Sequence, residues 1–131
     1  MKPAMYLFVN DSLKMSPGKM AAQVAHAAVR AALWTQKNNT AIGSKWLYNG
    51  ECKLVMSARD ENELKRIGEY LADKKINSYL IYDEGLTEFD GTEITALGVE
   101  VVDRDLEEIQ NIFGHFKLYS PKIKVNMEIT L

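Results

Sequence analysis

"AMYLFVNDSLKMSPGKMAAQVAHAAVRAA", residues 4–32, changes its hydrophobic period halfway along. Residues 4–10 form a short continuous apolar run closed by Asn10-Asp11, the pattern of a central strand covered on both faces. Six residues later, Ser16 can cap a helix, Pro17 suits its first turn, and the apolar positions follow at helical spacing. This predicts a helix over about 17–37, and a strand feeding a helix in this way opens an α/β chain.

The rest of the chain continues the alternation. "NNTAIGS", residues 38–44, reads as a break, and "KWLYNG", 45–50, as a short helical turn closed by Asn49-Gly50. "CKLVMSA", 52–58, is a second strand. Leu64, Ile67 and Leu71 then stand at i, i+3 and i+7, with acids early and lysines late, which predicts an amphipathic helix. "SYLIY" is a third strand, "DEGLTEFDGTE" a loop, "ITALGVEVV" a fourth strand, and "DRDLEEIQNIFG" a capped short helix ending at Gly114. In 122–131, Ile123, Val125, Met127, Ile129 and Leu131 alternate with polar residues, predicting an extra edge strand at the C-terminus. The expected fold is α/β: a mixed sheet with helices on both faces, in one domain over 1–131 with 121–131 as an extension.

Composition narrows the function. Apolar residues make up 47% and charged residues 26%, so the chain can build a core and is not a disordered one. The single cysteine, Cys52, cannot form an internal disulfide, and the apolar run at 4–9 is too short to span a membrane. A soluble, cytoplasmic protein is therefore expected. A net charge of −2 gives no global attraction to nucleic acid, so any such role has to come from a local patch.

Lys19, Gln23 and His26, at i, i+4 and i+7, share one face of the first helix. A helix start is an anion site, and a lysine there is useful chiefly when an anion arrives; an ordinary exposed lysine, a Gln facing a neighbour and a half-buried His give the same pattern. It is not a nucleotide-binding P-loop, because Leu13 stands where the first glycine is required and Met20 replaces the hydroxyl residue. Ala21, Ala22, Ala25, Ala28 and Ala32 read as small residues that let the helix pack closely on the sheet. Asp83 ends the third strand, where α/β proteins bind ligands, and Thr87, Thr92 and Thr95 follow it; an Asp capping a turn is the alternative. His115 and Lys117 come just after a helix end. Two scattered histidines and one cysteine offer no metal-ligand spacing, and there is no G-x-S-x-G nucleophile elbow.

Taken together, "KMSPGKMAAQVAHAA", "DEGLTEFDGTEITALGV" and "GHFKLY" resemble, in this order, the signatures of the archaeal/eukaryotic type of peptidyl-tRNA hydrolase. The resemblance covers about residues 5–119. It implies a three-layer α/β/α sandwich with a mixed four-stranded sheet, often a homodimer, that hydrolyses the ester between a peptide and the 3′ end of tRNA without metal or organic cofactor. It carries Lys19, Gln23, His26, Asp83, Thr87 and Thr95 into the active-site cleft, with Lys14, Gly18, His115 and Lys117 as further candidates for holding the substrate. On this reading Asp83 activates a water directly or through Thr87, and Lys19 holds phosphate or stabilises negative charge. Gln23 and His26 support Lys19 and the substrate end. The departures lie in the loop: Leu86 stands where a basic residue is usual, and Asp83, Glu84, Glu88, Asp90 and Glu93 crowd a segment expected to face tRNA. The substrate would then be held from the Lys14, Lys19 and Lys117 side. The competing expectation is a non-catalytic binding or regulatory module of the same fold, or a hydrolase of another acyl ester.

Overall fold

The computed structural model describes residues 1–83 and 92–120. Strand β1 (Pro3–Asn10) is followed by α1 (Pro17–Asn38), α2 (Thr40–Tyr48), β2 (Lys53–Ala58), α3 (Glu61–Asp73), β3 (Ser78–Asp83), β4 (Glu93–Val99), β5 (Val102–Asp103) and α4 (Glu107–Phe113). The sheet order is β2-β1-β4-β3, with β1 and β2 parallel and β4 antiparallel to both β1 and β3. This is the expected mixed four-stranded sheet, and the two-residue β5 adds to it by pairing with β1. The expected C-terminal edge strand falls on 121–131, outside the described residues.

Strand alternation sorts the core into two layers. Met5 and Leu7 face α1 and α2, where they meet Ala27, Ala31, Ile42 and Trp46. Tyr6 and Phe8 face the other way, onto Leu64, Ile67 and Leu71 of α3 and Ile109, Ile112 and Phe113 of α4. The predicted stripe of α3 is therefore its buried face. Its start is tied at both ends: Asp60 accepts from the Glu63 N–H, and Glu63 accepts in return from the Arg59 N–H. Tyr6 and Phe113 stack with ring centroids 3.9 Å apart.

Four local readings are corrected. The break before α2 is one residue, Asn39, because Thr40 bonds back to the Gln36 carbonyl while Ile42, Gly43 and Trp46 bury themselves beside α1. The fourth strand stops at Val99 and resumes as β5 at Val102. At this interruption the Val101 N–H is taken by Thr35 Oγ1, and the Glu100 carboxylate accepts from Asn77. Helix α4 has no side-chain cap, since its N-cap position is Leu106, which carries no acceptor; the Asp103 carboxylate accepts instead from the N–H groups of Lys2 and Asp105. Finally, the alanines that pack on the sheet are Ala27 and Ala31, with Ala28 and Ala32 half-buried, whereas Ala21, Ala22 and Ala25 are exposed.

The close approach of α1 to the sheet has a glycine beneath it. A Cβ on Gly98 of β4 would stand 2.3 Å from the Ala27 carbonyl oxygen. The helix backbone rests on the strand, and this fixes how high the start of α1 rides above the sheet.

Candidate active site

The carboxyl ends of β1, β2 and β3 and the start of β4 share one edge of the sheet, and the N-terminus of α1 opens over it. As the sequence suggested, Ser16 caps the helix, with its Oγ accepting from the Lys19 N–H at 3.1 Å. The first turn of α1 contains no acid. The carboxylate comes from another element: Lys19 Nζ donates to Asp83 Oδ1, at the end of β3, at 2.5 Å. Both side chains are about nine-tenths buried. A cation at the positive end of a helix is thereby balanced by an acid 64 residues away, in a setting of reduced solvent screening.

One turn further along, Gln23 is buried and its Oε1 accepts from the Thr95 hydroxyl at 2.5 Å. Thr95 reaches it through an irregularity. Ile81 pairs with Ala96 but Tyr82 pairs with Ile94, so Thr95 is the extra residue of a β-bulge. The bulge places Thr95 and Ala96 on the same side of the sheet, toward α1, where strict alternation would have sent them to opposite faces.

Of the residues singled out in the sequence, Lys19 and Asp83 meet directly, and Gln23 and Thr95 meet directly. His26 is exposed and lines a groove of about 340 Å³ between α1 and β3, with Arg30, Tyr79 and Tyr82. Gly18 is exposed at the helix start, where a Cβ would meet open space. Lys14 is exposed in the loop before α1. His115 and Lys117 are exposed on the segment that runs beside β2, where the Lys117 carbonyl accepts from the Ser57 N–H. That segment lies at the opposite side of the sheet from β3. Thr87 and the acids from Glu84 to Asp90 lie outside the described residues.

Sequence reasoning passed over Asn10, which it read only as a strand end. The side chain is buried; it donates from Nδ2 to the Ile94 carbonyl at 2.8 Å and accepts through Oδ1 from the N–H and hydroxyl of Ser12. It thus ties the exit of β1 to the strand residue just before the bulge. The available signal was an Asn at the end of an otherwise apolar run, where buried polar side chains are kept only with partners. Among the described residues, no group of three or more His, Cys, Asp or Glu side chains is placed to hold a metal ion.

The profile of the family described as "Peptidyl-tRNA hydrolase PTH2" matches residues 3–119. The chain is 38% identical over 112 residues to a peptidyl-tRNA hydrolase of Thermococcus onnurineus, covering 86% of this chain and 93% of that one. It is 36% identical to that of Methanopyrus kandleri, with 86% and 94% covered. It is also 36% identical over 115 residues to the mitochondrial peptidyl-tRNA hydrolase 2 of Mus musculus, covering 88% of this chain and 62% of the mouse protein. The pairing of the α1 lysine with the β3 aspartate thus occurs within the matched region, and the chain belongs to the peptidyl-tRNA hydrolase PTH2 family.

Proposed function

We propose that this protein hydrolyses peptidyl-tRNA, and that the buried Lys19–Asp83 pair is the centre of the reaction. The observation that carries this reading is the position of that pair, at the junction of a helix N-terminus and a strand end within a chain of this family. The Asp83 carboxylate takes a proton from a water, and the resulting hydroxide attacks the ester carbonyl carbon. The negative charge that develops on the carbonyl oxygen is met by the Lys19 ammonium and the helix start. Collapse breaks the bond to the ribose 3′ oxygen, which takes the proton from Asp83, and the peptide acid so formed releases its own proton to solvent. The products are a peptide carboxylate and a tRNA with a free 3′ hydroxyl. This scheme calls for no metal or organic cofactor.

With Lys19 held by Asp83, phosphate contact passes to the exposed Lys14 and Lys117, with His115 beside the latter. Gln23 and Thr95 hold the first two turns of α1 in register with β4. Gly18 leaves the helix start uncovered, His26 lines the approach along α1, and Thr87 assists Asp83 with the water. Lys19→Ala and Asp83→Asn, each checked for folding by circular dichroism, are expected to lower cleavage of peptidyl-tRNA about 10²-fold or more. Unaltered rates in folded variants would remove the pair from the mechanism.

A further inference from the structure

The outer edge of β3 has no partner strand among the described residues, and the residues along it, Ser78-Tyr79-Leu80-Ile81-Tyr82, include no proline and no charge to guard it. Bare edges of this kind are templates for another chain. This one ends at Asp83, on the Lys19–Asp83 pair. It is also flanked on both faces. Toward α3 lies a groove of about 860 Å³, whose apolar wall includes Gly68, Ala72, Ile76 and Leu80. Toward α1 lies the smaller groove walled by His26, Arg30 and Tyr79.

We infer that the β3 edge binds the peptide part of the substrate as an added strand. The inference rests on the hydrolase reading and extends it to the part of the substrate whose sequence is arbitrary. An enzyme that accepts any peptide gains most from contacts every peptide can make, and main-chain hydrogen bonds to a sheet edge are of that kind. Direction follows from chemistry: the scissile ester is at the peptide's C-terminus, so the peptide must run toward Asp83, as β3 does, and pairs with it in parallel. Successive side chains fall alternately into the α3 groove and the α1 groove. At about 3.3 Å per residue, the six residues of β3 accommodate roughly five substrate residues.

The test uses the wild-type protein and one tRNA carrying acetylated peptides of one to eight residues. The expected kcat/KM rises about tenfold between one and four residues and levels off beyond about five. N-methylation of single amides in a tetrapeptide is expected to cost about fivefold at alternate positions and little at those between. Equal kcat/KM at all lengths, or a cost without this alternation, would overturn the inference while cleavage itself upheld the hydrolase reading. Equal rates together with a concentration-dependent dimer would give the edge to a second copy of the chain, which also overturns it. Absence of cleavage for every substrate would remove the reading beneath the inference, and the inference with it.

Discussion

Adding one methyl group at Gly98 probes how the sheet sets the height of α1. The Cβ of Gly98→Ala would stand 2.3 Å from the Ala27 carbonyl oxygen, 2.8 Å from its carbon and 3.2 Å from the Ala27 Cα. All three are backbone atoms, so no side-chain rotation relieves the clash; α1 must lift by about 1 Å to restore van der Waals contact. Overpacking of this kind costs about 2 kcal/mol, which leaves a domain of ordinary stability folded. The larger effect is expected in catalysis, because Lys19 and Gln23 ride on the same helix while Asp83 and Thr95 stay with the sheet. A displacement near 1 Å at reacting groups can lower the rate about 10²-fold. Urea unfolding should show a lower midpoint with an unchanged slope, and peptidyl-tRNA cleavage should fall ten- to a hundredfold in kcat/KM. Ala27→Gly is not expected to rescue it, since the obstructing atom belongs to the backbone. A Gly98→Ala protein with wild-type midpoint and wild-type rate would refute the close approach and the positional argument built on it.

The Lys19–Asp83 pair should prove expendable for stability as a pair but not singly. Lys19→Met or Asp83→Leu strands a buried charge and is expected to cost about 3 kcal/mol in urea unfolding, whereas the double variant recovers most of this and stays inactive. The acid limb of stability should involve Asp103, whose carboxyl is held below its ordinary value of 3.8 by the N–H groups of Lys2 and then Asp105. A depressed pKa in the folded state adds stability above the ordinary carboxylate value and loses it as pH falls through the lowered one. Unfolding midpoints followed from pH 6 downward should therefore fall less steeply in Asp103→Asn than in the wild type.

The elements that local chemistry dictates were legible in the sequence. Ser16 and Pro17 start α1 where their capping geometry requires, and Leu64, Ile67 and Leu71 announce the buried face of α3. What escaped depends on partners distant in the chain. Residues 40–44 look like a breaker, yet they remain helical because Ile42 and Trp46 find cover beside α1. Glu100 and Val101 continue a β-prone run, but the Asn77 carbonyl takes the Glu100 N–H and the Thr35 hydroxyl takes the Val101 N–H, and the strand parts there. At the site, periodicity put Lys19 and Gln23 on one face, though it could not supply their partners. Asp83 reaches Lys19 only once β3 is laid at the sheet edge, and Thr95 reaches Gln23 only through a bulge that no spacing in the sequence discloses.

That bulge gives β4 two phases of side-chain alternation, one before Thr95 and one after it. Deleting Thr95 would bring the strand back into a single phase and yield a more regular ladder. It would also take away the hydroxyl that holds Gln23. A search that rewards thermal stability alone would be drawn toward the regular strand, and one that rewards turnover should keep the extra residue. In this chain the support for α1 is encoded as an offset in strand phase, so aligning its relatives by hydrophobic pattern in β4 would misplace the threonine by one position.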